Sequence, residues 1–101
     1  MSNVDSLAEQ HIRRYESRLE HLDELIGKVR SRLEAHPQRE QHEKALADIL
    51  ARRDELQVRV DDVKLNHPQN LTEELEEDGP IMGIADAIAA ELDALLKKLG
   101  A

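Results

Sequence analysis

Residues 8–33, AEQHIRRYESRLEHLDELIGKVRSRL, carry the pattern that decides the fold. Their apolar side chains recur at alternating steps of four and three residues, the heptad spacing of helices that pack along a common seam. The members of this seam are Ala8, Ile12, Tyr15, Leu19, Leu22, Ile26, Val29 and Leu33. Pro37 follows, and a proline disfavours helical geometry in the residue before it. The pattern therefore predicts a first helix over about residues 5–35.

A second seam follows, but it is apolar only in its middle. Its members are His42, Leu46, Ile49, Arg53, Leu56, Val60, Val63 and His67. Pro37 and Pro68 bracket it, so we predict a second long helix over about residues 38–66 that forms a hairpin with the first. Arg53 interrupts this seam. We expect its aliphatic stem to pack while its guanidinium reaches a carboxylate outside the core, in preference to a buried polar layer that fixes register.

The rest of the chain predicts two more helices. A short acidic helix is expected over about residues 71–77, where Asn70 and Glu73 match the capping box that opens a helix. Pro80 suits the first position of a C-terminal helix over about residues 80–99. The predicted architecture is thus an all-α, antiparallel three-helix bundle with coiled-coil-like packing, in which the C-terminal helix packs on a hairpin of two long helices.

Composition agrees with a single helical-bundle domain over residues 1–101. The hydrophobic fraction is 40%, and Tyr15 is the only aromatic residue besides the histidines. With 4 Gly and 3 Pro the chain has few turn residues, which is typical of long helices and not of sheets. The absence of Cys excludes disulfides and thiolate chemistry.

The charge distribution excludes two classes of partner. The formal net charge is −8, and much of the excess lies in EELEED, residues 73–78. Such a balance repels nucleic acid and anionic lipid. Residues 81–99 are rich in apolar side chains, but Asp86, Glu91 and Asp93 disfavour membrane insertion. We expect a cytoplasmic protein that binds no nucleic acid and does not insert into a membrane.

The sequence offers little support for catalysis or for a cofactor. It contains no nucleophile elbow, P-loop or dinucleotide-binding loop, and we predict that the chain is not an enzyme. None of the five His has the Glu-x-x-His spacing of a bundle metal site. In a hairpin, however, His36 and His42 would flank one turn, and His11 and His67 would approach at the opposite end. A His-based metal-binding helical bundle is therefore the alternative function.

The C-terminal helix gives the strongest functional indication. Its seam is Ile81, Ala85, Ile88, Leu92, Leu95 and Leu99, and Met82, Ile84, Ala89 and Leu96 are apolar besides. A helix that covers one face of a hairpin needs only one apolar stripe, so this helix is either the central helix or presents a second face to another chain. We predict a non-catalytic interaction or structural module that self-associates through this helix, as a homodimer or with another helical protein. The predicted interaction residues are Ile81, Met82, Ile84, Ile88, Leu92, Leu95 and Leu96.

The triplet His-Pro-Gln occurs twice, at residues 36–38 and 67–69. We interpret both copies as the ends of two similar helices, because proline stops a helix. An ancient duplication of one helix is the alternative explanation of the repeat.

Overall fold

The computed structural model describes residues 3–100, and their side chains from Leu7 onward. Within that range the chain is all-α, with no strand. The helices are α1 (Asn3–Leu33), α2 (Arg39–Asn66), α3 (Leu71–Glu74) and α4 (Pro80–Gly100), with a turn of 3-10 helix over Pro68–Asn70. None of these helices has an apolar stretch long enough to cross a bilayer. Both His-Pro-Gln triplets lie outside or at the ends of the long helices, as predicted.

The boundaries of the long helices agree with prediction to within two residues, and α4 begins at Pro80 as expected. The short helix differs. It ends at Glu74 and does not continue to residue 77, and the side chain of Asn70 makes no capping hydrogen bond. The predicted capping box is therefore wrong. The reason is that the 3-10 turn already precedes Leu71, so Asn70 has helical backbone geometry rather than that of an N-cap.

Side-chain contacts show how residue numbers run along α1, α2 and α4 relative to one another. Tyr15 and Asp23 of α1 bond to Gln57 and Arg53 of α2, so rising numbers on one helix meet falling numbers on the other. Between α1 and α4 the numbers rise together, since Arg18 pairs with Asp86 and Arg32 donates to the carbonyl of Leu96. The molecule is elongated, with extents of 55 × 21 × 18 Å.

The helix α4 lies against both long helices, and each of them packs more extensively on α4 than on the other. The predicted seams supply most of the core. The buried seam residues of α1 and α2 are Tyr15, Leu22, Ile26, Val29, Leu33, Leu46, Ile49, Leu56, Val60 and Val63. His42 is half-buried and His67 exposed, at the ends of the second seam. His11 and Leu25, which lie off the first seam, are also buried.

Arg53 behaves as the sequence predicts. Its guanidinium donates from Nε to Asp23 Oδ1 at 2.7 Å and from Nη2 to Asp23 Oδ2 at 3.0 Å. The side chain is largely covered, although the carboxylate it meets is exposed. Because Asp23 belongs to α1, this bidentate pair joins the two long helices at the edge of the core.

Tyr15 should make stability depend on pH in the alkaline range. Its hydroxyl donates to Gln57 Oε1 at 2.8 Å, and burial raises its pKa from 10.0 to about 12. Above pH 10 the unfolded state releases a proton that the folded state keeps, so this contribution to stability is lost as pH rises from 10 towards 12. We expect about 1.4 kcal/mol less stability at pH 11 than below pH 10.

The measurement is urea unfolding of the wild type and of Tyr15→Phe across this pH range. The difference between the two proteins isolates the phenol from every other effect of alkaline pH on the chain. A constant difference from pH 8 to 11 would mean that the phenol ionises equally well in both states.

Candidate interaction surfaces

The predicted interaction residues are distributed unequally between the core and the surface. Ile84 is 36% exposed, whereas the other six are buried within the single chain. Those six are Ile81, Met82, Ile88, Leu92, Leu95 and Leu96. The cause is the position of α4 against both α1 and α2, which covers both of its apolar stripes. Of the predicted set, only Ile84 is accessible to another molecule in the folded chain.

A row of small, uncharged residues runs along the exposed side of α4, between exposed charged residues such as Asp86 and Glu91. Gly83, Ala87, Ala90 and Ala94 recur at steps of four, three and four, so they lie along one side of the helix, and all are exposed. Ile84 borders this row and adds a large aliphatic side chain. We call these five residues the α4 face. It extends for roughly 16 Å at 1.5 Å per residue.

A shallow groove runs between Ile84 and α2. Its apolar wall is formed by Leu56 and Ile88. The rim on the α2 side carries Arg52, Glu55 and Arg59. Arg52 forms an ion pair with Glu91 of α4, and Arg59 Nη2 lies 3.0 Å from an oxygen of Glu74. The rim therefore carries both signs of charge beside an aliphatic side chain.

A second apolar region lies on the outside of α2, and the sequence analysis did not identify it. Val58 is 68% exposed and Leu65 is 80% exposed. They are seven residues apart, so they lie on one line of the helix, on the side away from the buried seam. The sequence does contain a signal for this region, because Ala51, Val58 and Leu65 form a heptad repeat of aliphatic residues outside the buried seam.

The histidines do not assemble a metal site of three or more ligands anywhere in the described part of the chain. His36 and His42 do meet at the turn between α1 and α2, with ring centroids 5.0 Å apart in an edge-to-face arrangement. The Nδ1 atom of His36 accepts a hydrogen bond from the backbone N–H of Gln38 at 3.1 Å. His11 is buried with no hydrogen-bond partner at Nδ1, and His67 is exposed.

The described surface thus offers two apolar regions, on α4 and on α2, and one pair of histidines. Comparison of the chain with protein-family models, with curated proteins and with solved structures found no match.

Proposed function

We propose that the chain is a non-catalytic interaction module, an antiparallel three-helix bundle that self-associates through its C-terminal helix. The observation that carries this proposal is the α4 face. In a chain of which 36% of the residues are charged, the five exposed residues of this face include no charged side chain. A row of small uncharged residues bordered by an exposed isoleucine can be covered closely by another protein, with the charged residues on either side of the row at the rim of the contact.

The small residues favour another helix as the occupant. Gly and Ala at steps of four and three let two helix backbones approach more closely than larger residues would allow. Two copies of α4 related by a two-fold axis perpendicular to the helix would run antiparallel across such a contact. Centred on this row, the contact would set Gly83 opposite Ala94 and Ala87 opposite Ala90 of the other copy, and this self-complementary pattern favours a second copy over an unrelated chain.

The buried members of the predicted interaction set have a supporting role in this proposal. Leu92, Leu95 and Leu96 anchor α4 in its own chain, so that the helix presents a rigid face outward. Direct contact with the second copy would be made by Ile84 and the row from Gly83 to Ala94.

Ile84→Glu tests the proposal by sedimentation. We expect the wild type to sediment as a dimer and the variant as a monomer, with self-association about 100-fold weaker, because each copy would bury an unpaired carboxylate. Helix content, measured by circular dichroism, should not change, because Ile84 is exposed within its own chain. A wild type that remains monomeric at high micromolar concentration would remove the proposal.

A matched control introduces the same carboxylate elsewhere. Ser17 is exposed on α1, away from the α4 face, so Ser17→Glu should sediment as the wild type does. Ala90→Glu, inside the face but outside the groove, should dissociate the dimer as Ile84→Glu does. A dimer that survives both α4 substitutions would mean that another surface is responsible.

The alternative function is a His-based metal-binding bundle, and the contact between His36 and His42 favours it. Two imidazoles near one turn can share a zinc or nickel ion, with further ligands from solvent or from a second copy. Assembly driven by metal would be reversed by a chelator and by His42→Ala. Assembly through the α4 face would be unaffected by both, so sedimentation with and without chelator separates the two functions.

A further inference from the structure

The outer side of α2 carries an aliphatic side chain enclosed by carboxylates. Val58 is 68% exposed, and on a helix its nearest surface neighbours lie three and four residues before and after it. All four of those positions are acidic: Asp54, Glu55, Asp61 and Asp62. Leu65, 80% exposed, lies one heptad later and has Asp61 and Asp62 as its preceding neighbours. We call these six residues the α2 outer face.

The nearby arginines do little to neutralise this face, because their close ion pairs are made elsewhere. Arg52 pairs with Glu91 of α4, and Arg59 pairs with Glu74. Arg53 makes its two close contacts with Asp23 of α1 and only a 3.5 Å contact with Asp54. These three arginines thus join α2 to other parts of the chain and leave the outer side of the helix acidic.

The direct hydrogen bonds of Asp61 and Asp62 stay within α2 and join it to no other helix. Asp61 accepts a hydrogen bond from Gln57 and Asp62 one from Asn66, both within α2. They lie near the carboxyl end of the helix, where the helix dipole disfavours negative charge by a few tenths of a kcal/mol. Exposed Val58 and Leu65 likewise contribute no buried area to the chain's own core.

From this arrangement we infer that the α2 outer face binds a basic amphipathic helix. Val58 and Leu65 have the heptad spacing of a coiled-coil seam, so they match a partner helix with aliphatic residues at the same interval. The flanking carboxylates then face the positions beside the partner's seam, where Lys or Arg would complement them. A second copy of this chain fits poorly, because it would place carboxylates against carboxylates.

This surface is separate from the α4 face, and the inference does not depend on self-association. The probe is a synthetic peptide of three heptads with Leu at the seam positions and Lys at the flanking positions. A peptide of the same design with Glu in place of Lys is its control. Binding to the full chain is measured by fluorescence anisotropy at low and at physiological salt.

We expect saturable binding of the Lys peptide and none of the Glu peptide. Asp61→Asn with Asp62→Asn should weaken binding at least tenfold, and Val58→Ser should weaken it by a similar factor. The matched control is Glu16→Gln with Glu20→Gln, which removes the same charge from exposed positions on α1 and should change affinity less than twofold. All these positions are exposed, so circular dichroism should show folded proteins in every case.

Three results would overturn the inference. The first is no saturable binding of the Lys peptide to the wild type. The second is a loss of affinity in the α1 control as large as in the α2 variant, or an unchanged affinity in Val58→Ser. Either result would mean that the peptide binds through nonspecific attraction to an acidic protein. The third is that Val58→Ser changes the sedimentation of the protein in the absence of peptide. That result would mean that the α2 outer face binds a second copy of the chain.

Discussion

Leu92→Ala is expected to lower the free energy of unfolding by about 3 to 5 kcal/mol, the upper part of the range for leucine-to-alanine changes in a core. Leu92 is fully buried and lies in the middle of α4, the helix that packs against both α1 and α2. Its truncation leaves a cavity bordered by rigid helices on two sides, which can close only partly. The measurement is urea unfolding followed by circular dichroism.

The same substitution at the surface provides the control. Leu65→Ala, at a position that is 80% exposed, should change the free energy of unfolding by less than about 0.5 kcal/mol. Both variants must be compared at one protein concentration, because the proposed self-association would make stability depend on concentration. Similar effects at the two positions would show that α4 is not the centre of the core.

The long helices were predictable because their seams contain the information directly. In α1, the seam residues from Tyr15 to Leu33 are buried as their spacing indicates, except Leu19, which is partly buried. Arg53 was predictable for the same reason, since a long cationic side chain at the edge of a seam can pack its stem and still reach a carboxylate. These features depend on local periodicity, which a single sequence displays.

The periodicity of the sequence could not predict where α4 lies relative to α1 and α2. Two apolar stripes indicate a helix that is covered on two sides, but they do not say whether the second cover comes from the same chain. Met82 and Leu96 turn out to be buried by the chain itself, so the predicted interaction set reduces to Ile84 at the surface. Predicting this would require knowing how α4 is shared between α1 and α2, which depends on three helices at once.

The early end of α3 has a similar explanation. A helix of four residues owes its length to the contacts around it and not to intrinsic propensity. Here Leu75 is completely buried directly after α3, and the chain then turns sharply to begin α4 at Pro80. Gly79, directly before α4, has a packing constraint that the sequence alone does not display.

Gly79→Ala is expected to lower the free energy of unfolding by about 2 to 3 kcal/mol, through overpacking. A Cβ atom at Gly79 would lie 2.7 Å from the carbonyl oxygen of Glu73, 2.9 Å from that of Glu76 and 3.0 Å from that of Glu74. All three are backbone atoms, so the substitution must move the segment between α3 and α4. The N–H of Gly79 also bonds to Glu76 at 2.8 Å, which ties the turn to the same carbonyl group.

Gly27→Ala separates this crowding from the general effect of replacing glycine. A Cβ atom at Gly27, in the middle of α1, would have no neighbour within 4 Å, so alanine there should raise the free energy of unfolding by about 0.5 to 1 kcal/mol through helix propensity. The two substitutions are chemically identical and should have opposite signs in the same urea-unfolding experiment. If Gly79→Ala were also stabilising, the close approach of α3 to the start of α4 would be wrong, and the short helix would not fix where α4 begins.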